Sequence, residues 1–502
     1  MNRTPRAFGL LHHPTSLPCR HGIGSIGQPA HAFIDLLTET GVSLWQILPL
    51  TPPATGNSPY SSDTAFAGNP LLICLDDLVS RGLLAAEAVS SPNGSPHSVD
   101  FAGVSAFKMP LFKQAFDRFE RDGGARDPSF LRFMSDHAFW LDDYALFKAI
   151  QATAGSFWLE WPLKLKFRDA GALGEVRDRD DHLIRFHTFL QYLFDQQWNS
   201  VKRHATQSGV TLIGDIPIFV SLGSVDVWKN PALFQLDADL KPVSVAGVPP
   251  DYFSKTGQLW GNPLYDWAAM AADKYRWWTN RFAVTLRAVD CIRVDHFRGF
   301  EAYWAVPAVD RTAENGEWKP GPGSSLFDTI RDVLGEIPVI AEDLGCLTPE
   351  VERLRDRLGF PGMKVLQFAF GGDAFNPYLA HNHTPHSVVY TATHDNDTTR
   401  GWWQTLVDAE RERIGNQMTI LQGHPVTDPV SDLIRLALGS VANWAIVPVQ
   451  DVLNLGSEAR MNRPGVAEGN WGWRMVEWNR LRQCLNELRP LLELTGRFNS
   501  PR

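Results

Sequence analysis

Cys291-Ile-Arg-Val-Asp-His296 has the form of four strand residues followed at once by a carboxylate and an imidazole. Cysteine, isoleucine and valine here show no strict polar alternation, which suits a strand covered on both faces, as in parallel sheets. Arg293 stands two residues before Asp295, so on a strand both side chains leave the same face. Seven further apolar runs of this kind occur at Ala7–Leu11, Ser43–Leu48, Thr211–Gly214, Val339–Ala341, Met363–Phe368, Ser387–Thr391 and Trp444–Val447. Helical patterns separate several of them. Gln28 to Thr40 places Phe33, Leu36 and Leu37 on one face, opens with Pro29 and stops at Gly41. Arg185 to Val201 aligns Phe186, Phe189, Leu190, Leu193, Phe194 and Trp198 directly before the third run. Eight buried strands, several separated by helices, suit an α/β protein, and if the runs close on themselves they make one (β/α)8 barrel.

The 502 residues exceed what such a barrel needs. Strand ends near residues 48 and 215 lie 167 apart and those near 215 and 295 lie 80 apart, whereas a bare βαβ repeat takes roughly 30. Two insertions follow. Residues 51–182 read as a mainly helical subdomain, with Leu131, Met134, Ala138, Leu141 and Ala145 at helical spacing. Residues 221–290, rich in Pro, Gly and aromatics, read as a lid or wall of a substrate cleft.

Chemistry-bearing residues follow the apolar runs. Asp215 closes Leu-Ile-Gly-Asp, Asp295 closes the quoted stretch, Glu342 closes Val-Ile-Ala-Glu, and Asp395 closes Tyr-Thr-Ala-Thr-His-Asp. In a closed barrel these ends share the face that carries active sites. Any one such carboxylate serves equally well as a helix cap. Four together suit a metal ion or paired acid–base chemistry, and acetal cleavage or transfer needs the second. One acid protonates the leaving oxygen while a carboxylate meets the anomeric carbon. The Arg293 guanidinium suits Asp295 to nucleophilic attack, and Glu342 becomes the acid if apolar walls and the charges of Asp295 and Asp395 raise its pKa.

Composition narrows the partners. Lys and Arg number 47 against 56 acids, a formal charge of −9 with no basic stripe, which argues against nucleic acid and anionic membranes. No apolar run approaches 18 residues, and Ala7–Leu11 is too short for a signal-peptide core, so a cytoplasmic location is expected. Five scattered cysteines, Cys19, Cys74, Cys291, Cys346 and Cys484, without a C-x-x-C pair, read as reduced thiols. Eighteen Trp and 29 Phe accord with a sugar ligand, whose C–H faces lie against flat rings. Trp140 and Trp198 sit on helical faces and read as packing; Tyr60 and Trp260 sit in turn-rich stretches and read as binding.

Three motifs point elsewhere and are set aside. Gly22-Ile-Gly-Ser-Ile-Gly27 matches a dinucleotide fingerprint, but Pro14 and Pro18 separate it from the strand. His381-Asn-His-Thr-Pro-His386 lacks a partnering Cys or carboxylate and reads as a solvated loop. Asp395-Asn-Asp397 lacks the Gly and distal Glu of a calcium loop. No metal and no cofactor is expected.

The ordered series Asn57-Ser-Pro-Tyr60, Ala65-Phe-Ala-Gly-Asn-Pro70, Gly214-Asp-Ile-Pro217, Gly247-Val-Pro-Pro-Asp-Tyr-Phe253, Gly257-Gln-Leu-Trp-Gly-Asn-Pro-Leu-Tyr265, Arg293-Val-Asp-His-Phe-Arg-Gly-Phe300, Ala341-Glu-Asp-Leu-Gly345, Thr393-His-Asp-Asn-Asp-Thr398 and Arg460-Met-Asn-Arg-Pro-Gly465 resembles the amylomaltases, bacterial 4-α-glucanotransferases related to the α-amylase clan. The resemblance runs through nearly the whole chain. It implies a (β/α)8 barrel and a retaining double displacement with Asp295 as nucleophile, Glu342 as general acid then base, and Asp395 stabilising the transition state. It further implies that Tyr60 stacks on the sugar at the cleavage point and that Asp215, Arg293 and His394 hold it. His296, Trp260 and Asn462 would contact neighbouring sugars, and residues 247–265 would arch over the cleft. Some members carry an aromatic where Thr55 stands here, which removes a reason to expect their second, remote glucan contact. The expected substrates are maltooligosaccharides, amylose or starch, the products longer, shorter or cyclic glucans. An α-glucan hydrolase with the same intermediate and a non-catalytic glucan-binding protein are the alternatives.

Overall fold

The structure, a computed structural model, describes residues 5–500 apart from 55, 93, 251–253 and 346. Twelve strands occur among the described residues: β1 (Ala7–Leu11), β2 (Leu44–Gln46), β3 (Thr211–Ile216), β4 (Ser244–Val248), β5 (Gln258–Pro263), β6 (Cys291–Val294), β7 (Ala302–Pro307), β8 (Glu317–Pro320), β9 (Val339–Ala341), β10 (Gly362–Val365), β11 (Ser387–Tyr390) and β12 (Trp444–Pro448). Eight of them close a parallel barrel in the order β1-β12-β11-β10-β9-β6-β3-β2, one for each of the eight apolar runs. This is the expected (β/α)8 architecture.

Two hydrophobic layers hold it. Leu11, Leu44, Ile213, Cys291, Ile340, Met363, Tyr390 and Ile446 fill the barrel interior. The opposite strand faces pack on the surrounding helices through residues such as Phe8, Trp45, Leu212, Ile292 and Val389. Burial on both faces is the reason the runs lack alternation. The helix Gln28–Glu39 buries Phe33, Leu36 and Leu37, and Gly41 leaves it at φ +73°, a backbone conformation that favours glycine.

Three local readings need correction. The run Met363–Phe368 is strand only to Val365, whose partner is Tyr390; beyond that pair Leu366–Phe368 turns into a 3₁₀ helix. The helix Pro128–Ala154 forms as expected, yet Leu131 is exposed and the buried face carries Phe130, Phe133, Trp140, Leu141 and Tyr144. Aromatic rings remove more apolar area from water than Leu131 or Ala138, so they set the helix rotation. Finally, residues 247–265 are not one loop. Their ends are β4 and β5, an antiparallel pair within a four-stranded sheet of order β5-β4-β7-β8. Two strands of that sheet lie beyond β6. Tyr252 and Phe253 lie outside the described residues, as does Thr55.

The set-aside motifs find structural uses. A β-carbon on Gly24 would meet the Pro14 carbonyl and one on Gly27 the Cys74 side chain, so these glycines allow close packing before the first helix. In the 381–386 loop each imidazole is tied separately: His381 Nε2 meets the Ala374 carbonyl, His383 Nδ1 the Ser440 hydroxyl, and His386 Nε2 the Gly359 carbonyl. His383 is buried rather than solvated. Cys19, Cys74, Cys291 and Cys484 are free thiols; Cys346 lies outside the described residues.

Candidate active site

The strands β3, β6 and β9 are neighbours, and each delivers a carboxyl at its C-terminal end. The ladders continue past the strand ends to hold them. Asp295 donates its N–H to the Ile216 carbonyl at 2.9 Å, and Glu342 donates its N–H to the Val294 carbonyl at 3.0 Å. Two-residue alternation aims Arg293 and Asp295 the same way, and Arg293 Nη1 donates to Asp295 Oδ1 at 3.0 Å and to Asp215 Oδ2 at 2.7 Å. The Tyr60 hydroxyl donates to the same Asp215 oxygen at 2.8 Å. Asp215 Oδ1 is buried and, among the described residues, accepts no hydrogen bond.

His296 follows at φ +48°, a left-handed turn that costs a residue with a β-carbon about 1 to 3 kcal/mol. The turn has a local use. It points the His296 N–H at Glu342 Oε2, 2.6 Å away, while Glu342 Oε1 accepts from the Leu344 N–H at 3.2 Å. Burial nevertheless pushes Glu342 up to about 8, against the pull of Arg293 and with the added charge of Asp295. Burial likewise pushes Asp215 up to about 7 against Arg293. Arg293 itself is raised well above its usual range despite its burial, by the carboxylates of Asp215 and Asp295.

Asp395 enters from the loop after β11. Its Oδ1 accepts from Asn462 Nδ2 at 2.6 Å and its Oδ2 lies 3.4 Å from His394 Nε2. The 460–462 segment clamps that loop: Arg460 Nη2 donates to the Asp395 carbonyl at 2.8 Å, and the Asn462 N–H donates to the His394 carbonyl at 3.1 Å. The His394 ring stacks on Tyr60 with centroids 5.1 Å apart and 12° between planes. Trp260, exposed on β5, sets its ring edge-on to His296 at 4.8 Å. Burial drives His296 down to about 4 and lowers His394, so both imidazoles are neutral near pH 7.

All ten residues singled out in the sequence therefore lie in one connected network: Tyr60, Asp215, Arg293, Asp295, Glu342, His296 and Trp260 on one branch, and His394, Asp395 and Asn462 joined to it through the Tyr60–His394 stack. A carboxyl that keeps its proton beside one that faces a guanidinium is an acid and nucleophile pair in form. The calcium reading of Asp395 and Asp397 has no support in the geometry, because Asp397 turns to Ser457 Oγ at 2.7 Å while Asp395 turns to Asn462. Among the described residues no group of three or more His, Cys, Asp and Glu is set to hold a metal ion.

The 4-alpha-glucanotransferase family, glycoside hydrolase family 77, matches residues 12–479 of the sequence. The chain belongs to this family. Among 4-alpha-glucanotransferases, that of Thermus thermophilus is 46% identical over 500 residues, covering 98% of this chain and 99% of its own. The chloroplastic/amyloplastic 4-alpha-glucanotransferase of Arabidopsis thaliana is 46% identical over 499 residues, with 98% of this chain and 86% of its own covered. The amylomaltase of Streptococcus agalactiae, solved in complex with acarbose, superposes with a TM-score of 0.93 at 37% identity over 98% of this chain and 100% of that one.

Sequence reasoning missed several residues packed around this candidate site. Trp471, buried and at φ +66°, tilts against both Tyr60 (5.8 Å) and His394 (6.0 Å). Its signal was a Trp between Gly469 and Gly472 in a turn-rich stretch. His12 and His13 stand directly after β1 and line a cavity beside His394. The other strand-end residues drew notice as carboxylates, and a histidine pair at the same place offered the same positional signal. Tyr265, expected on the cleft, is instead core: it is buried and donates its hydroxyl to the Ile218 carbonyl at 2.8 Å. Its neighbours Phe234, Trp267, Trp277 and Trp278 form an aromatic cluster that offers more apolar burial than a cleft rim.

Proposed function

We propose that the chain moves α-1,4-glucan segments between maltooligosaccharide or starch chains, or closes them into rings, through a covalent glycosyl-enzyme on Asp295. In this reading Glu342 gives its proton to the glycosidic oxygen while an Asp295 carboxylate oxygen attacks the anomeric carbon, and the leaving segment departs with a free 4-hydroxyl. Glu342, now a carboxylate, takes the proton of an acceptor 4-hydroxyl as that oxygen displaces Asp295. The acid is regenerated and the anomeric configuration retained. The His296 N–H on Glu342 Oε2 steadies the carboxylate form between the two steps. Asp395 opposes the positive charge that develops at the anomeric carbon.

The observation that carries this reading is the pairing on adjacent strands of a proton-retaining Glu342 with an Asp295 held by Arg293. The substrate class rests on the names of the relatives and on the acarbose bound to the Streptococcus amylomaltase. Tyr60 gives a flat surface for the sugar at the cleavage point, Arg293, His394 and the unpartnered Asp215 Oδ1 give its polar contacts, and Asn462, His296 and Trp260 give surfaces for the sugars beside it. Residues 51–182 act as a helical subdomain on the barrel and residues 221–290 as the cleft wall. Among the described residues no helix is long and apolar enough to cross a membrane, and a cytoplasmic location goes with this reading. Incubation with maltotriose tests it. Glucose with longer oligomers is expected; glucose with maltose alone would indicate hydrolysis, and unchanged maltotriose would indicate binding without catalysis.

A further inference from the structure

Beside His394 lies a cavity of about 30 Å³ lined by His12, His13, His394, Asn396, Arg460 and Trp473, with Tyr60 outside its lining. Space of about 10 to 15 Å³ accommodates a water molecule when polar partners surround it. They do. His12 Nε2, His13 Nδ1 and His394 Nδ1 are each buried and have no hydrogen-bond partner among the described residues. The two histidines are fixed there by the barrel itself, because the His12 N–H donates to the Gln46 carbonyl at 3.0 Å, the His12 carbonyl accepts from Trp45 Nε1 at 2.7 Å, and the His13 carbonyl accepts from the Ser16 N–H at 2.9 Å. Burial drives His12 and His13 down to about 3, and their mutual proximity and that of His394 add to the fall in His13. Three neutral imidazoles therefore line a space, partly walled by Leu11, Leu48, Pro448 and Met461, that is large enough for a water.

A neutral imidazole carries one proton, and the bond made by one ring nitrogen decides which nitrogen holds it. His394 Nε2 is the nitrogen on the Asp395 side, at 3.4 Å from Oδ2. With the proton there, the Nε2–H faces the carboxylate as an electrostatic contact and Nδ1 is left as a buried acceptor. With the proton on Nδ1, two lone pairs would face each other across the Asp395 contact. We propose that His13 is a positioning residue for transfer: through a water bound in this cavity it fixes His394 in the Nε2–H tautomer, and thereby orients Asp395 and the Tyr60 stack. His12 completes the water's partners. The charged and titratable groups around His394 are His12 and His13 after β1, Asp395 and Asp397 on its own loop, Arg460 bonded to that loop, Asp451 in the cavity lining, Arg293 on β6 and Asp295 just after it, and Tyr60 stacked on the ring. The inference rests on the proposed role of Asp395, but its tautomer claim stands apart from any activity.

The test uses the full chain labelled with ¹⁵N-histidine, with His394→Gln to assign its signals. The wild type is expected to show His394 with Nε2 protonated and Nδ1 unprotonated and accepting. His13→Phe keeps the ring volume and removes the nitrogens; it is expected to mix the tautomers and to lower kcat for maltotriose disproportionation roughly ten- to a hundredfold with KM within about twofold. His13→Gln, whose amide can still hold the water, is expected to restore the tautomer and most of kcat. If His13→Phe fails to fold, the wild-type tautomer and the Gln variant decide the matter. An Nδ1–H tautomer in the wild type, an unaltered tautomer in His13→Phe, or equal kcat losses in Phe and Gln would each overturn the proposal. A wild type inactive on maltotriose but with the expected tautomer would refute the proposed function and leave the tautomer claim standing.

Discussion

Glu342→Gln should abolish transfer and at the same time gain stability relative to the wild type as the solution becomes alkaline. The folded Glu342 carboxyl holds its proton up to about pH 8, whereas its ordinary value is 4.5. Between those pH values the native state binds more protons than the unfolded state, so this group's contribution to stability is intact below 4.5 and is lost progressively as the pH rises towards 8. The full displacement corresponds to a ceiling of roughly 5 kcal/mol. Water reaching the half-buried carboxyl reduces that, and a change of about 2 kcal/mol between pH 5 and pH 8 is the expected size. Glutamine has no such titration. It does lose one acceptor, since the His296 and Leu344 N–H groups both bond to Glu342 oxygens, at a cost of about 1 to 3 kcal/mol that does not vary with pH. Gln should therefore be the less stable side chain at pH 5 and should gain on the wild type steadily towards pH 8. Thermal melts of both proteins at half-unit pH steps read this as a difference in Tm that moves by a few degrees in favour of the variant. Wild-type kcat/KM should fall above about pH 8, where the acid is lost. A Tm difference that is flat between pH 5 and 8 would mean that the site does not hold Glu342 protonated, and the acid assignment would lose its physical basis.

The same Glu342→Gln variant, given an α-maltosyl fluoride, should still form the glycosyl ester because fluoride leaves without a proton; peptide mass spectrometry should place the sugar on Asp295, and a label elsewhere refutes the nucleophile. Asp395→Asn should lower kcat by about two to three orders of magnitude while leaving maltooligosaccharide affinity within a few-fold, since the charge it opposes exists only in the transition state; parallel losses in a binding isotherm and in kcat would contradict that role. If Trp260, exposed and edge-on to His296, serves as the acceptor platform, Trp260→Ala should raise the ratio of glucose released by hydrolysis to glucose released by transfer at least several-fold. A constant ratio with both activities reduced would make it a general substrate clamp.

Much of this protein is legible residue by residue. A strand buried on both faces must be apolar throughout, and a strand's last residue must point where the barrel opens, so the eight runs and the positions of Asp215, Asp295 and Glu342 follow from local chemistry alone. The Arg293–Asp295 contact is local too, two residues apart on one strand. Helix limits at Pro29 and Gly41 follow from backbone sterics.

Tertiary structure alone decided the rest. Arg293 bonds Asp215 from 78 positions away, Tyr60 reaches Asp215 across 155, and Asn462 binds Asp395 across 67. Periodicity reports which residues are buried and is silent on which segments return over the same barrel mouth, because that return is set by many weak contacts summed over the closed sheet. The helix Pro128–Ala154 shows the same limit, since both apolar stripes have helical spacing and only its neighbours select the aromatic one. Tyr265 went into an aromatic core, and β4 and β5 into an antiparallel pair, for this reason as well. The histidines beside His394 are the sharpest case: adjacent in sequence they are two polar residues after a strand, and only barrel closure brings them against a third imidazole in a space of about 30 Å³.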